Sequence, residues 1–183
     1  MNIKIGYQGI KNSYSYEAAL KLSKKFNNVE LIGLTTSKNV IDKLKNQEID
    51  YGVVAIKNSI AGEVEETKKA LKKYNYKIFD KIDLEIHHSI FKLKNIKLEN
   101  IKYVASHIQA LNQTCNYINK FFPNVKKTIT EDTAICTTKL LNNMLPKETI
   151  IICNKKLQNN KLELLKENIE NDKNNKTTFY LIK

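Results

Sequence analysis

Three short runs of this 183-residue chain place neutral hydrogen-bonding side chains where a strand or helix is expected to begin or end. Ser13 and Ser15 follow Gly9 and Asn12, just ahead of the helix-period stripe Ala18, Ala19, Leu22 and Phe26. Free N–H groups at a helix start favour a carboxylate, and asparagine tolerates the positive φ that a turn at position 12 demands. Asn58 and Ser59 follow the continuous apolar run Tyr51–Ile56. They therefore emerge beyond the carboxyl end of a buried strand, where open α/β sheets hold their ligands. Ser106 stands at another strand-to-helix turn, and Gln109 and Gln113, four apart, share one face of the helix that follows. Taken singly, each has a plainer reading: an N-cap by Ser15, a turn at Asn58-Ser59, a solvated helix face. The chemistry they offer is neutral hydrogen bonding, with a carboxylate favoured at the first helix start.

The elements that must position these groups alternate in type. Ile3–Tyr7, Val29–Leu34 and Tyr51–Ile56 read as strands, with a helix from Ser15 between the first two and a helix capped by Ser37, carrying Val40, Ile41 and Leu44, before the third. Glu63–Lys73 is helical and highly charged, and Tyr76–Leu84 and Glu85–Leu93 are extended. The second half repeats the pattern. Lys102–Ala105, Val125–Ile129 and Glu148–Cys153 are strands; helices are expected from about His107 to Phe121, from a cap at Asp132 or Thr130 to about Asn142, and over Leu157–Lys166. Thr177–Ile182 closes the chain as a strand. Strand and helix alternating in this way predict an α/β fold with mainly parallel sheets.

Composition narrows the function. The net charge is +12, and all 31 basic residues are lysine, since arginine is absent. The lysines are scattered in short pairs on the polar faces of expected helices, and the preferred reader of phosphate and guanine is missing. Nucleic acid is therefore not the expected partner, although the positive field suits a small dianionic substrate. No run approaches the ~20 apolar residues of a membrane span, and the strand-like start lacks the pattern of a signal peptide, so a cytoplasmic protein is expected. Cys115, Cys136 and Cys153 form no CxxC pair and read as free thiols. His87 and His88, adjacent in an extended segment, point to opposite faces and cannot share a metal ion; they read as structural. No metal and no cofactor are expected.

Five runs in order carry a resemblance to the prephenate dehydratases: Tyr7-Gln8-Gly9 through Ser13, Ser15 and Ala19; Asp50–Gly62 with Asn58-Ser59; Ser106-His107-Ile108-Gln109-Ala110-Leu111-Asn112-Gln113; Asp132-Thr133-Ala134; and Asn175-Lys176-Thr177-Thr178-Phe179. The Ser106–Gln113 run is the most specific, and Leu165–Asp172 is similar to the segment that leads the family's chain back to its first lobe. The resemblance covers about Lys4 to Lys183 and implies a two-lobed α/β unit like the type 2 periplasmic binding proteins. One lobe would comprise residues 1–84 plus 166–183, the other 85–165, with the site between them. It takes in the family's catalytic region alone, without the C-terminal amino-acid-sensing ACT domain that many members carry, and it implies a homodimer.

The activity so implied is conversion of prephenate to phenylpyruvate, with loss of carbon dioxide and water, in phenylalanine biosynthesis. By motif, Thr177 would be the donor at the leaving hydroxyl, and Asn58, Gln113 and Ser106 neutral groups around the ring and carboxylates. Ser13, Ser59, Lys57, Gln109 and Thr178 would contact substrate. Among the departures from the family pattern, two change charge at the implied site: Thr178 replaces the closing arginine, and Lys57 replaces the glutamate before Asn58. Either Lys57 supplies the charge that Thr178 cannot, or arginine and glutamate pair in the family and both have been exchanged here, which avoids an orphaned charge. The alternatives to dehydration are a prephenate decarboxylase and a catalytically silent protein that binds a small carboxylate.

Overall fold

The computed structural model describes residues 2–72 and 74–183. Two compact units emerge: Met1–Ile86 with Asn174–Lys183, and His87–Lys173.

The first unit is built on a six-stranded sheet. Strands β1 (Ile3–Gln8), β2 (Val29–Leu34), β3 (Tyr51–Asn58), β4 (Gly62–Glu63), β5 (Ile78–Glu85) and the closing strand Lys176–Ile182 are arranged β2-β1-β3-closing strand-β5, with β4 beside β3. Helix α1 (Tyr14–Leu22) seals one face through Ala18, Ala19 and Leu22, which meet Ile5, Val53, Phe179 and Leu181. Helix α2 (Ser37–Lys45) buries Val40, Ile41 and Leu44 against Val54 and Ile182 on the other. A Cβ on Gly52 would stand 2.6 Å from Val40 Cγ1 and 2.8 Å from Leu44 Cδ1, so α2 lies this close to β3 only because position 52 is glycine. Helix α3 spans Glu65–Leu71.

The second unit holds a five-stranded sheet. Its strands are β6 (Ser89–Leu93), β7 (Tyr103–Ser106), β8 (Lys126–Ile129), β9 (Thr149–Cys153) and β10 (Leu162–Lys166), in the order β10-β6-β9-β7-β8; the closing strand of the first unit is thus β11. Helices α4 (Ile108–Gln113) and α5 (Cys115–Phe121) cover one face with Leu111 and Ile118 against Val104, Ile150 and Ile152. Helix α6 (Ile135–Leu141) packs Cys136 and Leu140 against Phe91, Ala105 and Ile151 on the other.

The α/β class stands, but both sheets are mixed. Pairs β1–β2, β1–β3, β7–β8 and β7–β9 are parallel. Strand β11 runs antiparallel to β3 and to β5, as β6 does to β9 and β10 and β4 to β3. Helical crossovers make parallel neighbours; β11 enters between β3 and β5 without one.

Several expected elements change. Leu157–Lys166 is not a helix: Asn159 Oδ1 accepts the Lys161 N–H at 3.0 Å, a local turn that competes with helix, and β10 follows, paired with β6. The helix expected over His107–Phe121 breaks at Thr114, whose buried hydroxyl donates to the Ala110 carbonyl at 2.7 Å, a back-bond that bends helices. Ser13, not Ser15, caps α1 by accepting the Tyr16 N–H at 3.2 Å. Thr36, not Ser37, caps α2. Asp132 accepts the Ala134 N–H at 2.6 Å ahead of α6 without acting as its cap. Of the helix expected over Glu63–Lys73, Glu63 lies in β4, and Lys73 is outside the described residues. Asn12 does adopt positive φ, at 69°. The run after β10 packs in the second unit, with Ile169 in its core.

Candidate functional site

In the first unit the Asn58-Ser59 and Asn175-Lys176-Thr177 runs form one junction. The β3–β11 register sets Thr177 opposite Asn58. Asn58 Oδ1 accepts the N–H groups of Ile60 at 3.0 Å and Ala61 at 2.9 Å. Backbone N–H groups only donate, so the oxygen has to face them and the amide nitrogen has to face the other way. There Nδ2 meets Asn175 Oδ1 at 2.7 Å, the Lys176 carbonyl at 3.1 Å and Thr177 Oγ1 at 2.9 Å. Because that nitrogen can only donate, Thr177 is held as an acceptor, and its own hydroxyl proton is turned away from Asn58. Ser59 locks the same seam: its hydroxyl donates to the Asn174 carbonyl at 3.0 Å and accepts the Lys176 N–H at 2.9 Å. Asn58 and Thr177 are buried, at 4% and 9% exposure.

Lys57 and Thr178 are the next cross-strand pair, and Thr178 also stands opposite Asp83 on β5. Opposite residues of an antiparallel pair share a face and successive ones alternate. The column Lys57, Thr178, Asp83 is therefore on the other face of the sheet from Asn58 and Thr177. Thr178 Oγ1 donates to Asp83 Oδ1 at 2.6 Å. Ser13 is buried as the cap of α1.

In the second unit Ser106 is fully buried and donates to the Ile152 carbonyl at 2.6 Å, which ties β7 to its neighbour. His107 caps α4, its Nδ1 accepting the Gln109 N–H at 3.3 Å. Gln109 is half-buried, while Gln113 is buried, with Oε1 2.8 Å from Nε2 of His88. His87 and His88 do point apart: the His87 side chain is 46% exposed and His88 is 3% exposed. Both are tied to Glu170, whose carboxylate meets His87 Nδ1 at 2.8 Å and accepts the His88 N–H at 2.9 Å. Burial works to raise the Glu170 carboxyl, but these bonds outweigh it and hold it below the ordinary carboxylate range. Burial lowers the His88 imidazole, with the Gln113 bond and the Glu170 charge opposing. Asn171 completes the frame: its N–H donates to the Gln113 carbonyl at 2.6 Å, and its side chain accepts the Asn116 N–H and donates to the Asn112 carbonyl, each at 3.1 Å, across the break between α4 and α5.

The sequence reading missed Asn175, His88, Glu170 and Asn171 as parts of these frames. Asn175 lies in a recognised run, but its partner is 117 positions away, and Glu170 is 82 from His88. No local pattern signals such bonds. Among the described residues no group of His, Cys, Asp or Glu could hold a metal ion.

Comparison with known proteins gives a coherent picture. The family model described as prephenate dehydratase matches residues 5–183. A bifunctional chorismate mutase/prephenate dehydratase of Buchnera aphidicola subsp. Schizaphis graminum is 33% identical, over 96% of this chain and 46% of that protein. Arogenate dehydratase/prephenate dehydratase 1, chloroplastic, of Arabidopsis thaliana is 28% identical, over 98% of this chain and 45% of that protein. The chain thus spans about half the length of the curated relatives it matches. In fold it is similar to a prephenate dehydratase from Arthrobacter aurescens solved in complex with L-Phe, with TM-score 0.85 and 21% identity, covering 98% of this chain and 59% of that one.

Proposed function

Because this chain belongs to the prephenate dehydratase family, we propose that it catalyses the decarboxylating dehydration of prephenate to phenylpyruvate. The bond between ring and carboxylate breaks and releases carbon dioxide. Its electron pair moves into the ring, and the opposite C–O bond breaks with its pair left on oxygen. The departing oxygen takes a proton and leaves as water. Aromatisation drives the step, so the protein has to hold two carboxylates and steady the charge that grows on one oxygen.

The observation that carries this reading is the orientation of Thr177. Asn58 donates to Thr177 Oγ1 at 2.9 Å, which leaves the threonine proton available as a donor to a leaving hydroxyl. In this proposal Thr177 is the catalytic donor. Asn58 and Ser59 position it, Ser106 and Ser13 hold strand and helix ends, and Gln113 and Gln109 offer donors to carboxylate. Lys57 and Thr178 are proposed as an exchanged cross-strand pair in place of the family's glutamate and arginine, not as substrate contacts. The net charge of +12 suits a dianion. The Arabidopsis relative is named for arogenate as well as prephenate, so both are substrates to try. A homodimer and a cytoplasmic setting belong to the same proposal and rest on family likeness; sizing chromatography checks the first.

The test is turnover of purified protein with prephenate near neutral pH, scored by product and corrected for spontaneous aromatisation, beside Thr177→Ala. Phenylpyruvate from the parent, falling about 10²–10⁴-fold in the variant, is expected for loss of a positioned acid. A decarboxylated product that keeps its hydroxyl would make the protein a decarboxylase. Stabilisation by prephenate without turnover would make it a silent binder.

A further inference from the structure

His88 and Asn154 each keep one enclosed polar atom with no partner among the described residues, Nδ1 of His88 and Nδ2 of Asn154. Buried polar atoms are seldom left unpaired, so these two are informative. The orientation of each side chain follows from its other bond. Asn154 Oδ1 accepts the Lys156 N–H at 3.0 Å, which turns the amide nitrogen the other way. His88 Nε2 lies 2.8 Å from Gln113 Oε1. A carboxamide oxygen only accepts, so the imidazole carries its proton on Nε2 and presents a bare lone pair at Nδ1. Burial lowers its pKa and keeps it neutral, against the pull of Glu170; His87 and Glu170 are the titratable groups beside it.

The β6–β9 ladder sets Ser89 opposite Cys153 and Ile90 opposite Ile152. Continued by one residue, the antiparallel register sets His88 opposite Asn154. One side offers a lone pair and the other an N–H, and a single water oxygen, which accepts and donates, satisfies both.

We propose that Asn154, one bridging water and His88 form a one-way hydrogen-bond relay that holds the Gln113 carboxamide by its oxygen and so fixes the direction in which its nitrogen donates. Every bond in the relay points toward Gln113, so the members polarise one another. His88 is thus a positioning residue. The role of its target, Gln113, rests on the dehydratase reading; the relay itself does not.

Two measurements test this on the full chain. Nitrogen-15 NMR of His88 at neutral pH is expected to give the neutral Nε2–H tautomer, shifting when Asn154 is changed to Leu. An Nδ1–H tautomer, an imidazolium, or no response to Asn154→Leu overturns the relay, whether or not the protein turns over prephenate. Kinetics then test the consequence. His88→Phe is expected to reduce kcat/KM about 10-fold or more, mainly through KM, the loss typical of a hydrogen bond to a charged group. In a Gln113→Ala background it adds nothing. Losses that add in the double variant would show that His88 does not act through Gln113. If His88→Phe fails to fold, His88→Gln, which can still donate to the carboxamide, is expected to keep KM near the parent value, and a raised KM with an intact melt overturns the assignment. Absence of turnover in the parent refutes the dehydratase reading and leaves the tautomer result to decide the relay.

Discussion

The side chain that grips Thr177 is a carboxamide anchored by backbone N–H groups, whereas those behind Gln113 are an imidazole and, one bond further back, a carboxylate. Both frames fix which atom of a neutral group donates. The first does so with a group that does not titrate near neutrality, the second with one that does. Orientation at Thr177 is therefore expected to be indifferent to pH, while the Gln113 frame loosens on acidification. In the proposed reaction, the hydroxyl that meets a growing negative charge is the one held by the pH-insensitive frame.

Asn58→Asp is the sharpest way to break the first frame. A carboxylate still accepts from Ile60 and Ala61 but cannot donate to Asn175, Lys176 or Thr177, and in a buried place it faces three oxygens, two of which (Asn175 Oδ1 and the Lys176 carbonyl) only accept. A loss of about 2–5 kcal/mol is expected in urea unfolding, together with turnover. Stability equal to the parent would mean that Asn58 does not hold the seam.

Acid should separate the two frames. His88 is depressed below its ordinary value of 6.5 by burial, so the unfolded chain takes up its proton first. The stability it contributes is complete above about pH 6.5 and lost as pH falls from there toward its folded value. Glu170, also depressed, contributes stability that is complete above its ordinary 4.5 and lost as pH falls through its folded value. Unfolding free energy measured against pH is expected to drop in that order, and His88→Phe should remove the first stage alone. A parent curve that is flat between pH 7 and 5 would contradict the buried neutral imidazole.

Smaller effects sharpen the picture. Thr114→Ala should cost about 0.5–1.5 kcal/mol by removing the back-bond to Ala110, and helical content should not fall. Lys57→Gln should leave KM within about twofold, because an exposed charge on the other face of the sheet contributes little. A large rise in KM would return Lys57 to the substrate.

What the sequence made legible was periodic. The run Tyr51–Ile56, the α2 stripe and Ala18, Ala19 and Leu22 of α1 fall where apolar spacing put them, because cores enforce period; Phe26, expected on the same stripe, lies beyond α1 in extended backbone. Leu157–Lys166 misled because Leu162 and Leu165 fit a helical stripe as readily as a strand; the pairing with β6 that decides it lies about 70 residues away in sequence. Asn58 and Thr177 were legible as candidates by resemblance, but their mutual bond was not, since 119 positions separate them. The face of Lys57 depends on register, which the residues beside it do not reveal.

The placement of β11 between β3 and β5 also bears on how the molecule comes into being. The second unit is contiguous, His87–Lys173, while the first is completed only by Asn174–Lys183. On a ribosome that releases the chain from its amino end, every strand of the inserted unit is available before the strand that joins the two parts of the earlier sheet. Until then β3 has no partner on that side, and Asn58 has no Thr177 hydroxyl to orient. The Asn58–Thr177 bond thus forms only after the whole of the second unit has been released.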